Sequence, residues 1–157
     1  MAMAKTLDNF LHARDVSYDL LNHRHTATSM ETAEAAHIPG DQVAKTVLLE
    51  DGEGYVMAVL PATHRIDLGE LHRTLHRRLG LATEHEVATL FEDCELGAVP
   101  PIGPVYGLET IVDDSLAEQA EIYFDAGDHE QLVHMSGETF GNMLGDVEYA
   151  TFSYHVR

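Results

Sequence analysis

Two apolar, strand-forming runs set the frame for this chain. Val43-Ala44-Lys45-Thr46-Val47-Leu48-Leu49-Glu50 and Tyr55-Val56-Met57-Ala58-Val59-Leu60 are separated only by Asp51-Gly52-Glu53-Gly54. Such runs on either side of a short glycine-bearing turn predict a β-hairpin. A second hairpin is expected where residues 121–126 and 131–135 flank Gly127-Asp128. Residues 16–21 and 110–112 read as further strands. Helix signals lie between them. Residues 6–14 place Leu7, Phe10 and Leu11 on one face. Thr28 with Glu31 predicts a capping box for an Ala-rich helix reaching about Ala36, stopped by Pro39-Gly40. Asp67 with Glu70 predicts another, with Leu68, Leu71, Leu75 and Leu79 on one face and Gly80 as its stop. Thr83 and Glu86 open a short helix, Ser115 and Glu118 cap a helical turn, and residues 136–144 form a last helix. The tail from Asp146 carries no clear period.

Strands and helices interleave without a βαβ rhythm. That favours an α+β fold with a central mixed, mostly antiparallel sheet surrounded by short helices. Turn residues are spread along the 157 residues, with no repeat, low-complexity tract or linker. One domain over residues 1–157 is expected, with its core at about 16–144.

Charge narrows the function. Asp and Glu total 27, Lys and Arg total 9, and the net charge is −18. A body this acidic cannot hold a polyanion by a general basic field, so any nucleic-acid contact must be local or assisted. A DNA-binding helix-turn-helix protein fits poorly. No apolar stretch approaches the roughly 18 residues of a membrane span. The first 15 residues meet acids and arginines too early for a signal peptide. With one cysteine, Cys94, no internal disulfide is possible, so a reducing cytoplasmic setting is expected.

Lys45 is the most informative residue, because the chain has only two lysines and the other, Lys5, lies at the N-terminal fringe. A lysine inside an apolar strand is costly to bury without a partner. Two readings stand open: an edge lysine that snorkels to water, or a pocket ammonium aimed at a carbonyl or phosphate. The run Gly97-Ala98-Val99-Pro100-Pro101-Ile102-Gly103-Pro104 is the second feature. Glycine permits close backbone approach and proline stiffens the loop, so N–H groups can be presented to a ligand. Gly127-Asp128-His129 reads as a hairpin turn or as a pocket turn. Asp113, after an apolar strand, reads as a helix cap or as an acid that orients lysine or water.

Taken in order, Val43 to Leu49, Ala58-Val59-Leu60-Pro61, Arg65-Ile66-Asp67-Leu68, Cys94 to Gly103, Ile111-Val112-Asp113 and Ala126-Gly127-Asp128-His129 make a recognisable set. The chain resembles the YbaK/prolyl-tRNA synthetase-associated domain family of aminoacyl-tRNA deacylases. The resemblance implies a barrel-like mixed sheet. It implies hydrolysis, in trans, of the ester joining a wrong amino acid to the 3′ end of a tRNA. It places Lys45 on the family's signature lysine, Gly97 and Pro101 on the ends of its Gly-x-x-x-Pro loop, Asp113 on an acidic pocket position and His129 on a pocket histidine. His23 stands where some members carry tyrosine, and Thr46 follows the lysine as in the bacterial stand-alone branch. Thr46, His23, Pro101 and Gly127, with Arg73 and Arg77, are expected on the substrate.

The expected roles follow from the chemistry of an activated ester, for which positioning and polarisation suffice. Lys45 anchors the terminal phosphate or the substrate carbonyl, and Gly97-loop amides bind the oxyanion. Asp113 or His129 orients water, or the neighbouring ribose hydroxyl assists. No cofactor and no metal are expected. The expected partners are the aminoacyl-tRNA 3′ end and, for delivery, an aminoacyl-tRNA synthetase or elongation factor, with no membrane and no DNA.

Three signals are secondary. Cys94 lies between Asp93 and Glu95, which disfavour its thiolate. His72 and His76 are four apart on a predicted helix, but Arg73 and Arg77 beside them disfavour a cation. Arg73, Arg77 and Arg78, with Arg65 before them, form the only basic cluster, read as a local tRNA patch or as a salt-bridged surface helix. The alternative to an enzyme is a non-catalytic module of the same fold that holds an aminoacyl-nucleotide-like ligand or a protein partner.

Overall fold

The first hairpin forms as the pattern predicts. In a computed structural model that describes residues 3–156, β2 (Val43–Glu50) and β3 (Tyr55–Pro61) pair from Ala44 opposite Pro61 to Glu50 opposite Tyr55. Asp51 makes the turn, its Oδ1 accepting the N–H groups of Glu53 and Gly54. Both faces of this hairpin are covered. Ala44, Leu48, Met57 and Val59 join the larger core with Leu7, Leu11, Phe124 and Phe140. Leu49, Val56, Ala58 and Leu60 join a second cluster with Leu71, Ile111 and Phe152. Burial on two sides is why the runs are nearly continuous rather than alternating.

The remaining strands are β1 (Asp19–Asn22), β4 (His64–Ile66), β5 (Gly80–Leu81), β6 (Glu109–Asp113), β7 (Glu121–Asp125), β8 (Gln131–Ser136), β9 (Glu148–Ala150) and β10 (Ser153–His155). The main sheet runs β1-β8-β7-β2-β3-β6-β9, with β5 also on β2. The β2–β7, β3–β6 and β6–β9 ladders are parallel, and β1–β8, β7–β8, β2–β3 and β2–β5 are antiparallel. β4 and β10 form a separate antiparallel pair. The helices are α1 (Lys5–Ala13), α2 (Ser29–Ala36), α3 (Leu68–Leu75), α4 (Glu84–Leu90), α5 (Asp114–Ala117) and α6 (Gly137–Leu144). The result is a single α+β domain with a mixed sheet.

Caps set most helix starts. Thr28, Asp67, Thr83 and Ser136 each accept an N–H three residues on, but only Thr83 with Glu86 completes the reciprocal box. Glu70 turns to Arg73 instead. Two expectations need correction, and the unassigned tail takes shape. α3 stops at Leu75, because His76 takes the left-handed conformation at φ 57°; Leu79 and Gly80 lie beyond it, and Gly80 enters β5. The cap of α5 is Asp113, not Ser115. The tail is ordered into β9 and β10, whose three-residue lengths are too short to leave a period in sequence.

Candidate active site

The site is a split in the sheet. β2 and β7 pair only at Val43 with Tyr123 and Ala44 with Phe124, and beyond Ala44 they part. The Gly97 loop fills the opening, held to β2 where Thr46 Oγ1 donates to the carbonyl of Val99 at 2.9 Å. A narrow cleft remains, lined by Ser29 and Thr32 of α2, Lys45, Thr46, Gly97, Val99, Asp125 and Leu132. Beside it lies an apolar cavity of about 130 Å³ formed by Leu48, Met57, Val87 and Phe91. Thr46, Gly97 and Val99 belong to both, so they are the wall between the two spaces.

Lys45 is half-buried. Its Nζ donates to the carbonyl of His64 at 2.7 Å and of Ala62 at 3.4 Å, leaving a third N–H. Burial, reinforced by the charge of Arg65, lowers its pKa from the ordinary lysine value. Gly97 is exposed at φ +80°, a conformation that suits glycine. Among the described residues, neither its N–H nor that of Val99 donates to another group. Both residues line the cleft.

His129 stands behind the loop. The residue is 5% exposed, and Nε2 lies 2.5 Å from the Leu96 carbonyl. Nδ1 faces Asp125 Oδ2 at 3.5 Å and has no hydrogen bond. Asp125, which lines the cleft, was absent from the sequence reading. Its Oδ1 accepts from Gly127 and His129, and burial raises its carboxyl pKa. The signal that points to it is the run Asp125-Ala126-Gly127-Asp128-His129, with more acid than a hairpin turn requires.

Other nominated residues sit elsewhere. Asp113 is 1% exposed and fully engaged: Oδ2 accepts from Ser115, and Oδ1 accepts the Phe152 N–H at 3.0 Å. It does not line the cleft. Gly127, at φ +109°, is turned to Ala4, the N-cap of α1, whose Cβ would fall 2.7 Å from an added Cβ. Pro101 is buried behind the loop. His23 Nδ1 donates to the Arg24 carbonyl at 2.6 Å, and its buried Nε2 is unpartnered. Arg73 pairs with Glu70, and Arg77 with Asp51 and Glu109. The Arg77 guanidinium holds the Asp51 carboxyl well below the usual carboxylate range. This pair closes the turn end of the hairpin, five residues and roughly 16 Å along β2 from Thr46. Cys94 is pushed up to about 12, chiefly by burial and further by Asp93. Among the described residues no group of three or more His, Cys, Asp or Glu is placed to hold a metal, and no helix is long and apolar enough to cross a membrane.

A split mixed sheet, a glycine loop and a half-buried lysine define a small α+β domain built around one cleft. The chain belongs to the aminoacyl-tRNA editing domain family, whose model matches residues 23–141. No curated protein matches it. Among solved structures, a protein described only as hypothetical is 23% identical with a TM-score of 0.84, over 96% of this chain and 100% of that one. A proposed trans-editing enzyme for prolyl-tRNA synthetase is 23% identical with a TM-score of 0.82, over 96% of both chains. A proposed signal transduction protein from Marinobacter aquaeolei VT8 is 18% identical with a TM-score of 0.76, over 94% of this chain and 30% of that one. At these identities the likeness is one of fold.

Proposed function

We propose that this chain, acting as one domain over residues 1–157, is a cytoplasmic deacylase. It hydrolyses in trans the ester between a wrong amino acid and the 3′ end of a tRNA. The observation that carries the reading is the undonated Gly97 N–H in a cleft shared with Lys45 and Asp125, beside an apolar cavity. Membership of an editing-domain family supports it, as does the fold shared with a proposed trans-editing enzyme.

Water adds to the ester carbonyl, and the tetrahedral oxyanion is met by the Gly97 N–H. The third N–H of Lys45 binds the substrate carbonyl or the terminal phosphate. Asp125, made more basic by burial, orients the water and takes its proton. Collapse expels the tRNA ribose oxygen, which leaves with a proton, and releases the free amino acid. Thr46 holds the loop in register, and the apolar cavity receives the amino-acid side chain. Asp113, Gly127, Pro101, Arg73 and Arg77 are structural in this scheme, since each is engaged away from the cleft. The net charge of −18 favours handover from a synthetase or elongation factor over tight tRNA binding alone.

The test is incubation of the protein with tRNAs carrying Cys, Ala, Ser, Pro and Thr, beside Lys45→Ala. Catalytic release of one amino acid, lost in the variant, is expected. Stoichiometric binding without release from any of them overturns the deacylase and leaves the binding module.

A further inference from the structure

We infer that the C-terminal strand β10 positions Lys45 through the carbonyl of His64. The inference rests on the deacylase reading for its effect on rate, but its structural half stands apart from it.

The lysine's nearer anchor, 2.7 Å away, is a carbonyl of β4. β4 is three residues long, and its ladder partner is β10, with Ser153 opposite Ile66, Tyr154 opposite Arg65 and His155 opposite His64. Val156 N–H donates to the Thr63 carbonyl at 2.9 Å, and Asp67 N–H donates to the Phe152 carbonyl at 2.7 Å. In an antiparallel pair the bonded positions alternate, so the intervening bonded pair is Arg65 with Tyr154. His64 is therefore a non-bonded position, and its carbonyl points off the other edge of β4, to Lys45. The imidazole of His64 adds a 2.8 Å contact to Ser153 Oγ.

The tail is itself anchored. Phe152 is fully buried in the second core, and its N–H is held by Asp113. This gives Asp113 a role that its sequence position conceals: it fixes the strand that fixes the carbonyl that fixes the lysine. Residues 152–156 lie outside the span matched by the family model, so the clamp is added from beyond that region. Arg65, His64, His155, Asp41 and Asp113 are the charged or titratable groups around this corner, and Asp125 lines the same cleft as Lys45. A four-carbon side chain loses substantial rotamer freedom when its head is fixed, so the anchor must be rigid.

Val156→Pro removes the N–H that ties the tail to Thr63, at a residue 40% exposed, without opening a cavity. Combined with Ser153→Ala, it is expected to lower kcat/KM by about ten- to a hundredfold. Only Lys5 and Lys45 give lysine signals, so Lys45 titration is read directly by 13Cε NMR against exposed Lys5. It is expected to move toward the ordinary lysine value in the double variant, with the folded state verified by its amide spectrum. A folded variant whose Lys45 titration is unchanged overturns the clamp. Should the wild-type protein release no amino acid, the deacylase reading falls while the NMR arm still decides the clamp.

Discussion

The Nε2 of His129 lies 2.5 Å from the carbonyl oxygen of Leu96, and that carbonyl is the acyl half of the peptide whose N–H belongs to Gly97. A carbonyl only accepts, so the imidazole donates from Nε2. Donation into one end of a peptide polarises the N–H at the other. His129 thus strengthens the Gly97 amide without touching what that amide binds. Its other nitrogen, Nδ1, faces the Asp125 carboxyl at 3.5 Å.

His129 acts in this scheme as a positioning residue. His129→Gln keeps a donor of similar reach, and His129→Ala removes it. Both replacements bear the same left-handed backbone, φ 59° in the native chain, so that strain cancels between them. Deacylation kcat is expected to fall by about tenfold in the alanine variant, with the glutamine variant between it and wild type and KM nearly constant. Equal kcat in the two variants would remove the relay through Leu96.

The Asp125 carboxyl gives a stability prediction with a definite sign. Burial raises its folded-state pKa above the unfolded value. Its contribution to stability is fully present below the unfolded value near 3.8 and is lost as pH rises through the folded value. Above that window the buried charge is a net cost. Asp125→Asn keeps the oxygen that accepts from Gly127 and His129 and removes the charge. The Tm of the variant relative to wild type is therefore expected to rise between pH 4 and pH 8, while deacylation falls. A pH-independent difference in Tm would show that the charge is not what burial penalises.

The contrast between Asp113 and Asp125 marks how far the sequence could be read. Each is an acid at the end of an apolar strand. Nothing within ten residues of either says that β7 parts from β2 at Ala44 while β6 stays beside β3 as far as Val112. That register is a long-range property, and it decides which acid meets the cleft. Asp113 instead caps α5 and binds a backbone N–H 39 residues away. Lys45 was legible for the opposite reason: a lysine in an otherwise apolar run is anomalous on local grounds alone. The hairpin was legible because a strand buried on both faces needs no alternation to be recognised. His76 was not, since its left-handed turn ends α3 at a residue that would equally suit a helix interior.

Cys94 is expected to be inert in the native protein. Burial pushes its thiol up to about 12, so at pH 8 roughly one ten-thousandth is thiolate. A disulfide reagent such as DTNB should react on the order of 10³-fold more slowly with the native chain than with the chain in denaturant, where the thiol returns to about 8.5. Comparable rates in the two states would mean that Cys94 is activated, and would make it a candidate nucleophile.

The apolar cavity makes the last prediction. Leu48, Met57, Val87, Phe91 and Val99 surround about 130 Å³, with no charged side chain in the lining. An ammonium, guanidinium or carboxylate on the amino acid would lose its hydration there without a partner, so charged amino acids are excluded. What enters is a small or medium uncharged side chain, and volume sets the upper limit. Val87 is the residue to vary, because it sits on α4 at the half-buried edge of the cavity rather than in the sheet. Val87→Ala enlarges the space and Val87→Phe fills it. A methylene in such a pocket discriminates by roughly 10- to 200-fold. The rate ratio for a larger over a smaller amino acid on one tRNA is therefore expected to rise about tenfold in the alanine variant and to fall by a similar factor in the phenylalanine variant. A ratio unmoved by both would mean that the side chain lodges outside this cavity, and that Thr46, Gly97 and Val99 bound the substrate from their other side.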